Sequence, residues 1–257
     1  MPIKISEERK EEFLLYYNKG MNDYEIARIM GISNSTIFRW RRNLNLSPHY
    51  SREKSTNKPI ELTQENKEIL CGTLLGDGSI QYYPKYNWKS PIFKCDHGIG
   101  QKEYAELLYD KFINLGASLK EYKRYDKRTN KLYTTYCIKT KANPTLFPYF
   151  TMLYSTGKKE IVKEFLEHFT IKSLAFLYMD DGYYHQDSYY ICTDSFSLKS
   201  IEILVNYIKE KLGLTFTIIK HSPNYRIRLL KQDINKFNSL VSPYIIDSLK
   251  YKLKTVS

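Results

Sequence analysis

Apolar residues follow a helical rhythm at the start of this 257-residue chain and a mixed helical and alternating rhythm after it. Phe13, Leu14 and Tyr17 form one stripe behind the acidic pair Glu7-Glu8, which predicts a helix over residues 6–19. Ile26, Ala27 and Met30 form a second stripe after Asp23, the expected N-cap. Gly31 then permits a tight turn, and Ile32, Ile37 and Trp40 face inward from a third helix opening at Ser33-Asn34. Small Ala27, the glycine four residues on and Ile37 six beyond it suit two helices crossing steeply, as in a helix-turn-helix. Residues 47–60 lose the period and carry Pro48 and Pro59. They read as a linker between a domain at 1–46 and a larger one at 61–257.

Beyond Glu61 the same order of elements runs twice. Short strands are expected at Ser79–Tyr83 and Ile92–His97, then a helix over Lys102–Leu115 ended by Gly116. Strands at Leu119–Tyr125 and Leu132–Lys141 and a helix at Pro144–Tyr154 complete the first copy. The second has a strand at Tyr189–Thr193, a helix over Leu198–Leu212 ended by Gly213, strands at Thr215–Lys220 and Tyr225–Leu230, and a helix at Gln232–Leu240. The expected class is α+β, two αββαββα repeats (about 61–157 and 158–257) behind a small all-α domain.

Each repeat opens with the same kind of phrase. LCGTLLGDG spans Leu70–Gly78, and LAFLYMDDG spans Leu174–Gly182. Superposing the two terminal glycines places Asp77 on Asp181, 104 positions later. Leu70, Thr73, Leu74 and Asp77 keep helical spacing, with Gly78 as the expected left-handed stop. Gly72 and Gly76 share a face, so a second backbone can approach there; Phe176 and Asp180 replace them in the other copy. Glycine inside a helix costs roughly 0.5–1 kcal/mol relative to alanine, so a pair of them calls for a packing reason. Two helices lying side by side would then deliver two carboxylates to one place. An aspartate at a helix C-terminus opposes the helix dipole, and two of them repel unless a cation lies between. Mg2+ suits such a pair, because it accepts a few carboxylates together with water and phosphate oxygens.

Strand alternation assigns the remaining faces. Arg226 and Arg228 lie on one side of a strand with Ile227 and Leu229 on the other; Tyr133, Thr135, Lys139 and Lys141 lie opposite Leu132, Tyr136 and Ile138. One face is apolar, and the other is basic and hydroxylic, suited to the major groove of DNA. In the small domain, Asn34, Ser35, Thr36 and Arg39 are expected at base edges and Arg41 and Arg42 at phosphates.

The paired phrases resemble the signature motifs of the LAGLIDADG homing endonucleases, in the branch that carries both motifs in one chain. The resemblance runs from about Glu61 to the C-terminus and includes the flanking phrases GKKEI, TDSF and SPYIIDSLKYKL. It implies a saddle over duplex DNA, Mg2+-dependent cleavage of both strands with 3′ overhangs, and two or three ions at the repeat interface with Mn2+ able to substitute. Asp77 and Asp181 would be metal ligands and catalytic groups, assisted by the backbone oxygens of Gly76 and Asp180. Lys159 and Lys252 match the family's basic residues. Gln101 and Asp194 match polar positions that contact metal-bound water or DNA. The resemblance also admits an RNA maturase acting on intron RNA, and a DNA-binding regulator that has lost catalysis. A regulator would be expected to have lost a motif aspartate, and both remain.

Composition agrees with a polyanionic partner: the net charge is +12 and the pI about 9.3. Residues 1–57 hold ten Lys/Arg against seven Asp/Glu, so most of the excess belongs to the larger domain. Cys71, Cys95, Cys137 and Cys192 show no paired spacing, and Cys95-x-His97 lacks a matching second pair, so neither a disulfide framework nor a zinc site is expected. No secretory signal or long apolar run is present. The chain ends lack splice-junction residues, so the protein is expected to be freestanding; the unpaired cysteines fit an intracellular protein and the two motifs in one chain a monomer. A Lys, Tyr, Asn and Ile bias fits an AT-rich bacterial, phage or organellar genome.

Overall fold

The computed structural model describes residues 6–47, 49, 58–86 and 88–254. They form two units, divided between Thr56 and Asn57. Most of the expected linker lies outside the described residues. Its described ends belong to packed structure: Tyr17 Oη donates to Ser47 O at 2.6 Å, and Asn143 Nδ2 donates to Lys58 O at 3.3 Å.

The first unit has helices α1 (Glu7–Asn18), α2 (Asp23–Met30) and α3 (Asn34–Asn43) around Phe13, Tyr17, Ile26, Ala27, Ile37 and Trp40. Gly31 takes the left-handed conformation (φ 63°) that the turn requires. The α2 cap is Asn22, not Asp23; Asn22 and Glu25 form a capping box. Asp23 instead meets Arg41 Nε at 2.8 and 3.0 Å, and Arg41 Nη1 donates to Leu46 O at 3.0 Å. Arg41 is buried, so the phosphate role expected of it is corrected to a structural one tying α3 to α2.

The second unit follows the expected double pattern. The first repeat runs α4 (Gln64–Leu75), β1 (Ser79–Gln81), β2 (Ile92–Gly98), α5 (Lys102–Lys111), β3 (Ser118–Asp126), β4 (Lys131–Lys139) and α6 (Phe147–Tyr154). The second runs α7 (Ile171–Asp181), β5 (Gly182–His185), β6 (Ser188–Cys192), α8 (Leu198–Tyr207), β7 (Phe216–His221), β8 (Asn224–Leu229) and α9 (Ile234–Val241). Each repeat has one antiparallel four-stranded sheet, in the orders β1-β2-β4-β3 and β5-β6-β8-β7. Strand β5, for which the sequence pattern supplied no range, begins directly on Gly182. One contiguous core joins the repeats, from Phe93, Tyr104 and Ile138 through Leu70, Leu74 and Leu177 to Tyr189, Ile191 and Phe237.

At the centre α4 lies against α7. A Cβ at Gly72 would fall on Ser173 O and come within 2.8 Å of Phe176 Cβ; one at Gly76 would fall on the Asp180 side chain. The glycines of one motif therefore receive the large residues of the other. The expected left-handed stop at Gly78 is not found: α4 is capped by Gly76, and Gly78 is absent from the left-handed glycines Gly20, Gly31, Gly116, Gly157 and Gly213. Gly78 is needed for space instead, since a Cβ there would stand 2.7 Å from Thr73 O and 2.8 Å from the Phe93 ring.

Two stability changes are expected. Gly72→Ala should lower the unfolding free energy of the larger unit by about 1–3 kcal/mol, as overpacking does, read from a urea melt. In the small unit, Arg41→Ala should cost about 1–3 kcal/mol because it removes buried Arg41 from half-buried Asp23 and from Leu46 O, whereas Arg39→Ala should stay within about 0.5 kcal/mol. Helix loss followed by circular dichroism separates the two.

Candidate active site

Helix ends and strand starts meet at the two motif aspartates. Asp77 follows the α4 cap with its carboxylate partly exposed, and Asp181 is the last residue of α7. Burial and the charge of Asp77 together push the Asp181 carboxyl up to about 6, while Lys252 and Lys159 oppose the rise. Asp180 lies inside the helix pair. Its Oδ2 accepts from Asp77 N–H at 3.2 Å, and its Oδ1 is buried without a hydrogen-bond partner. Burial first, then Asp77, raises this carboxyl well above the usual range. The charges of Asp77 and Asp181 also disfavour ionisation of Asp180, and at Asp181 Lys252 and Lys159 offset part of this mutual repulsion.

The two lysines occupy matching positions. Lys159 Nζ donates to Gly78 O at 2.8 Å and Gly76 O at 3.4 Å, at the end of the first motif. Lys252 Nζ donates to Met179 O at 2.6 Å and Asp180 O at 3.1 Å, at the end of the second. Each ammonium satisfies carbonyls that a helix C-terminus leaves open. Burial lowers the pKa of both, against the pull of Asp180, Asp181 and Asp77. The backbone oxygens of Gly76 and Asp180, expected to assist a metal, thus each accept from a lysine.

One group with no role assigned from sequence joins the cluster. His97, at the inner end of β2, is buried, and its Nδ1 stands 3.7 Å from Asp77 Oδ2 with no hydrogen-bond partner. Its Nε2 lies 3.1 Å from Cys95 Sγ. Ligand atoms of Asp77, His97 and Asp180 all fall within 4.8 Å of one another. The signal was present as Cys95-x-His97: alternation along β2 turns both residues inward with Phe93. Burial lowers the His97 pKa, and Asp77 and then Gln101 oppose it. Asp194 accepts from Arg226 Nε at 2.9 Å and faces His221 Nδ1 at 3.3 Å.

The open sheet faces carry most of the residues expected on them. Tyr133, Thr135 and Lys139 line a depression of about 570 Å³ together with Lys94, Tyr122 and Arg124. Arg226 and Arg228 pair with Cys192 and Tyr190, beside the stacked rings of Tyr183 and Tyr190. Lys141 is the exception: β4 ends at Lys139, and the Lys141 stem packs over Gly116. In α3, Asn34, Ser35 and Arg39 are exposed and Arg42 lies over the Phe38 ring. Thr36 and Ser35 share hydrogen bonds with Ser33 Oγ, at 2.7 and 2.9 Å.

The family model described as the LAGLIDADG DNA endonuclease family matches residues 67–237, spanning both motifs and both sheets. The chain belongs to the LAGLIDADG endonucleases. A homeodomain-like model matches residues 4–48. The relatives include the DNA endonuclease I-ChuI of Chlamydomonas applanata, 25% identical over 76% of this chain and 96% of that protein. A probable intron-encoded endonuclease of Wickerhamomyces canadensis is 28% identical over 82% of this chain and 93% of its own length. The solved structure of the homing endonuclease I-WcaI bound to its DNA recognition sequence superposes with a TM-score of 0.73 at 25% identity, covering 84% of this chain and 98% of that one. The cytochrome b mRNA maturase bI2 of Saccharomyces cerevisiae is 27% identical over 82% of this LAGLIDADG chain and 52% of its own.

A consequence for stability follows. Because folding raises the Asp181 pKa, the folded state holds a proton that the unfolded state releases, and stability falls as pH rises from about 4 to about 6. In chelator at pH 7, Asp181→Asn should therefore melt higher than the parent, by up to about 3 kcal/mol. A melt series from pH 4 to 8 reads both the gain and the flattened profile.

Proposed function

We propose that the chain is a site-specific endonuclease that hydrolyses both strands of a long asymmetric DNA duplex. The observation that carries this is the delivery of Asp77 and Asp181 by two tightly packed helices, each followed at once by a sheet with a basic open face. Duplication supplies one carboxylate and one lysine per strand, and divergence of the two faces matches an asymmetric target. Basic groups on both sheets and on α3 would take up phosphates, with Arg228, Tyr133, Thr135 and Arg39 placed to reach base edges.

Divalent ions fit this residue set, because Asp180 Oδ1 and His97 Nδ1 are buried polar atoms with no partner and the carboxylates repel one another. Mg2+ is the ion the carboxylates suit best; Asp77 and Asp181 would hold it. When bound it would supply charge neutralisation and an acidified water. The chain's own contribution is placement. Asp77 and Asp181 orient groups at each scissile phosphate, and Lys159 and Lys252 set positive charge beside the developing oxyanion. Both ammonium groups are already fixed on backbone carbonyls, so little rearrangement is required of them. Similarity to a maturase favours intron RNA as a second ligand for the same basic faces.

Asp77→Asn and Asp181→Asn should each abolish double-strand cleavage of DNA spanning the uninterrupted insertion site of the gene, while binding persists in a gel-shift assay. Cleavage by both at the parental rate would refute the assignment. Arg39→Ala should weaken affinity several-fold and reduce its salt dependence, with single-turnover cleavage at saturating protein unchanged. Release of spliced exons from a precursor RNA, unaffected by either Asn variant, would mark maturase activity.

A further inference from the structure

The two repeats do not offer the same donor atoms to a cation. Strand register fixes the counterpart of His97. Gly78 superposes on Gly182, Ser79 pairs with Lys94, and Tyr183 pairs with Tyr190. Lys94 therefore corresponds to Tyr190, and His97, three residues on, corresponds to Thr193. The next strand agrees, since His97 pairs with Tyr136 while Thr193 Oγ1 donates to Tyr225 O at 2.8 Å. Thr193 is thus committed to backbone, whereas His97 Nδ1 is buried, unpartnered and directed at Asp77.

We infer that His97 Nδ1 is a direct metal ligand, together with the Asp77 carboxylate of its own repeat and the Asp180 carboxylate of the other, and that the centre at Asp181 has no histidine donor among the described residues. This rests on the metal-dependent function proposed above. Three features support it. The ligand atoms lie within 4.8 Å of one another, a spread that one ion can close. Among the described residues neither His97 Nδ1 nor Asp180 Oδ1 makes a hydrogen bond of regular geometry, although Gln101 lies near the His97 ring and Tyr104 near the Asp180 carboxyl. Cys95 Sγ stands at Nε2, where it can accept the N–H of the tautomer that leaves Nδ1 free to coordinate. An imidazole donor favours first-row ions such as Co2+ over Mg2+. The two centres of one chain should then fill at different metal concentrations, the histidine-bearing one first.

Titration of the full, metal-stripped protein with CoCl2, read by calorimetry and visible absorption, tests this. Two classes of site are expected. His97→Gln should weaken the tighter class at least about tenfold and alter its d–d spectrum, and Thr193→Val should leave both classes unchanged. His97 is buried, so the wild-type chain supplies a measurement free of folding effects: a hyperfine-shifted exchangeable imidazole proton in the Co2+ form. A folded His97→Gln variant with both classes intact, or no such proton at saturating Co2+, overturns the inference. Asp77→Asn and Asp181→Asn separate the two levels. If they lose ions while His97→Gln keeps both, only the histidine assignment falls. If they too keep both ions, the metal reading of the function falls with it.

Discussion

The closeness of two helix backbones governs this molecule. Gly72 and Gly76 leave no room for a side chain because Ser173 O, Phe176 and Asp180 already occupy that space. Such proximity determines where both motifs end. Since β1 and β5 start within two residues of Asp77 and Asp181, it also determines where both sheets begin. A shift along this seam would displace the carboxylates, the lysine-bound carbonyls and the strand registers together.

The site is held in an electrostatically unfavourable state. Asp180 is buried and Asp181 half-buried beside Asp77, and the two half-buried lysines feel the charge of all three. The ammonium groups relieve part of this by bonding the last carbonyls of each motif. They do so on the backbone, leaving the carboxylate oxygens for other partners. Holding charges so close with little solvation costs the free protein stability, as functional sites commonly do.

Much of this was legible in the sequence for identifiable reasons. The motif repeat at a fixed interval, the helical stripes and the strand alternation report burial, and burial follows period. The small-for-large exchange of Gly72 with Phe176 and Gly76 with Asp180 was visible as non-equivalence, although which residue met which required coordinates. Four expectations failed, among them the Asp23 cap, whose place Asn22 takes while Asp23 binds Arg41. Arg41 looked like a surface cation until Asp23, eighteen residues earlier, proved to be its partner. Gly78 looked like a left-handed stop, but Thr73 and Phe93 demand its lack of a side chain. Lys141 continued an alternating pattern that the strand itself did not. His97 went unassigned because one histidine on an apolar face carries no message until its neighbours are known.

The mismatched seam also bears on how such a chain can evolve. A pairing of two first halves would set glycine against glycine, without the side chains that now fill the seam. A dimer of two second halves would press Phe176 on Phe176 and bury Asp180 against its own twin. With bump and hollow divided between the two copies, each half is shaped to the other, and a substitution on one side of the seam must be answered on the opposite side.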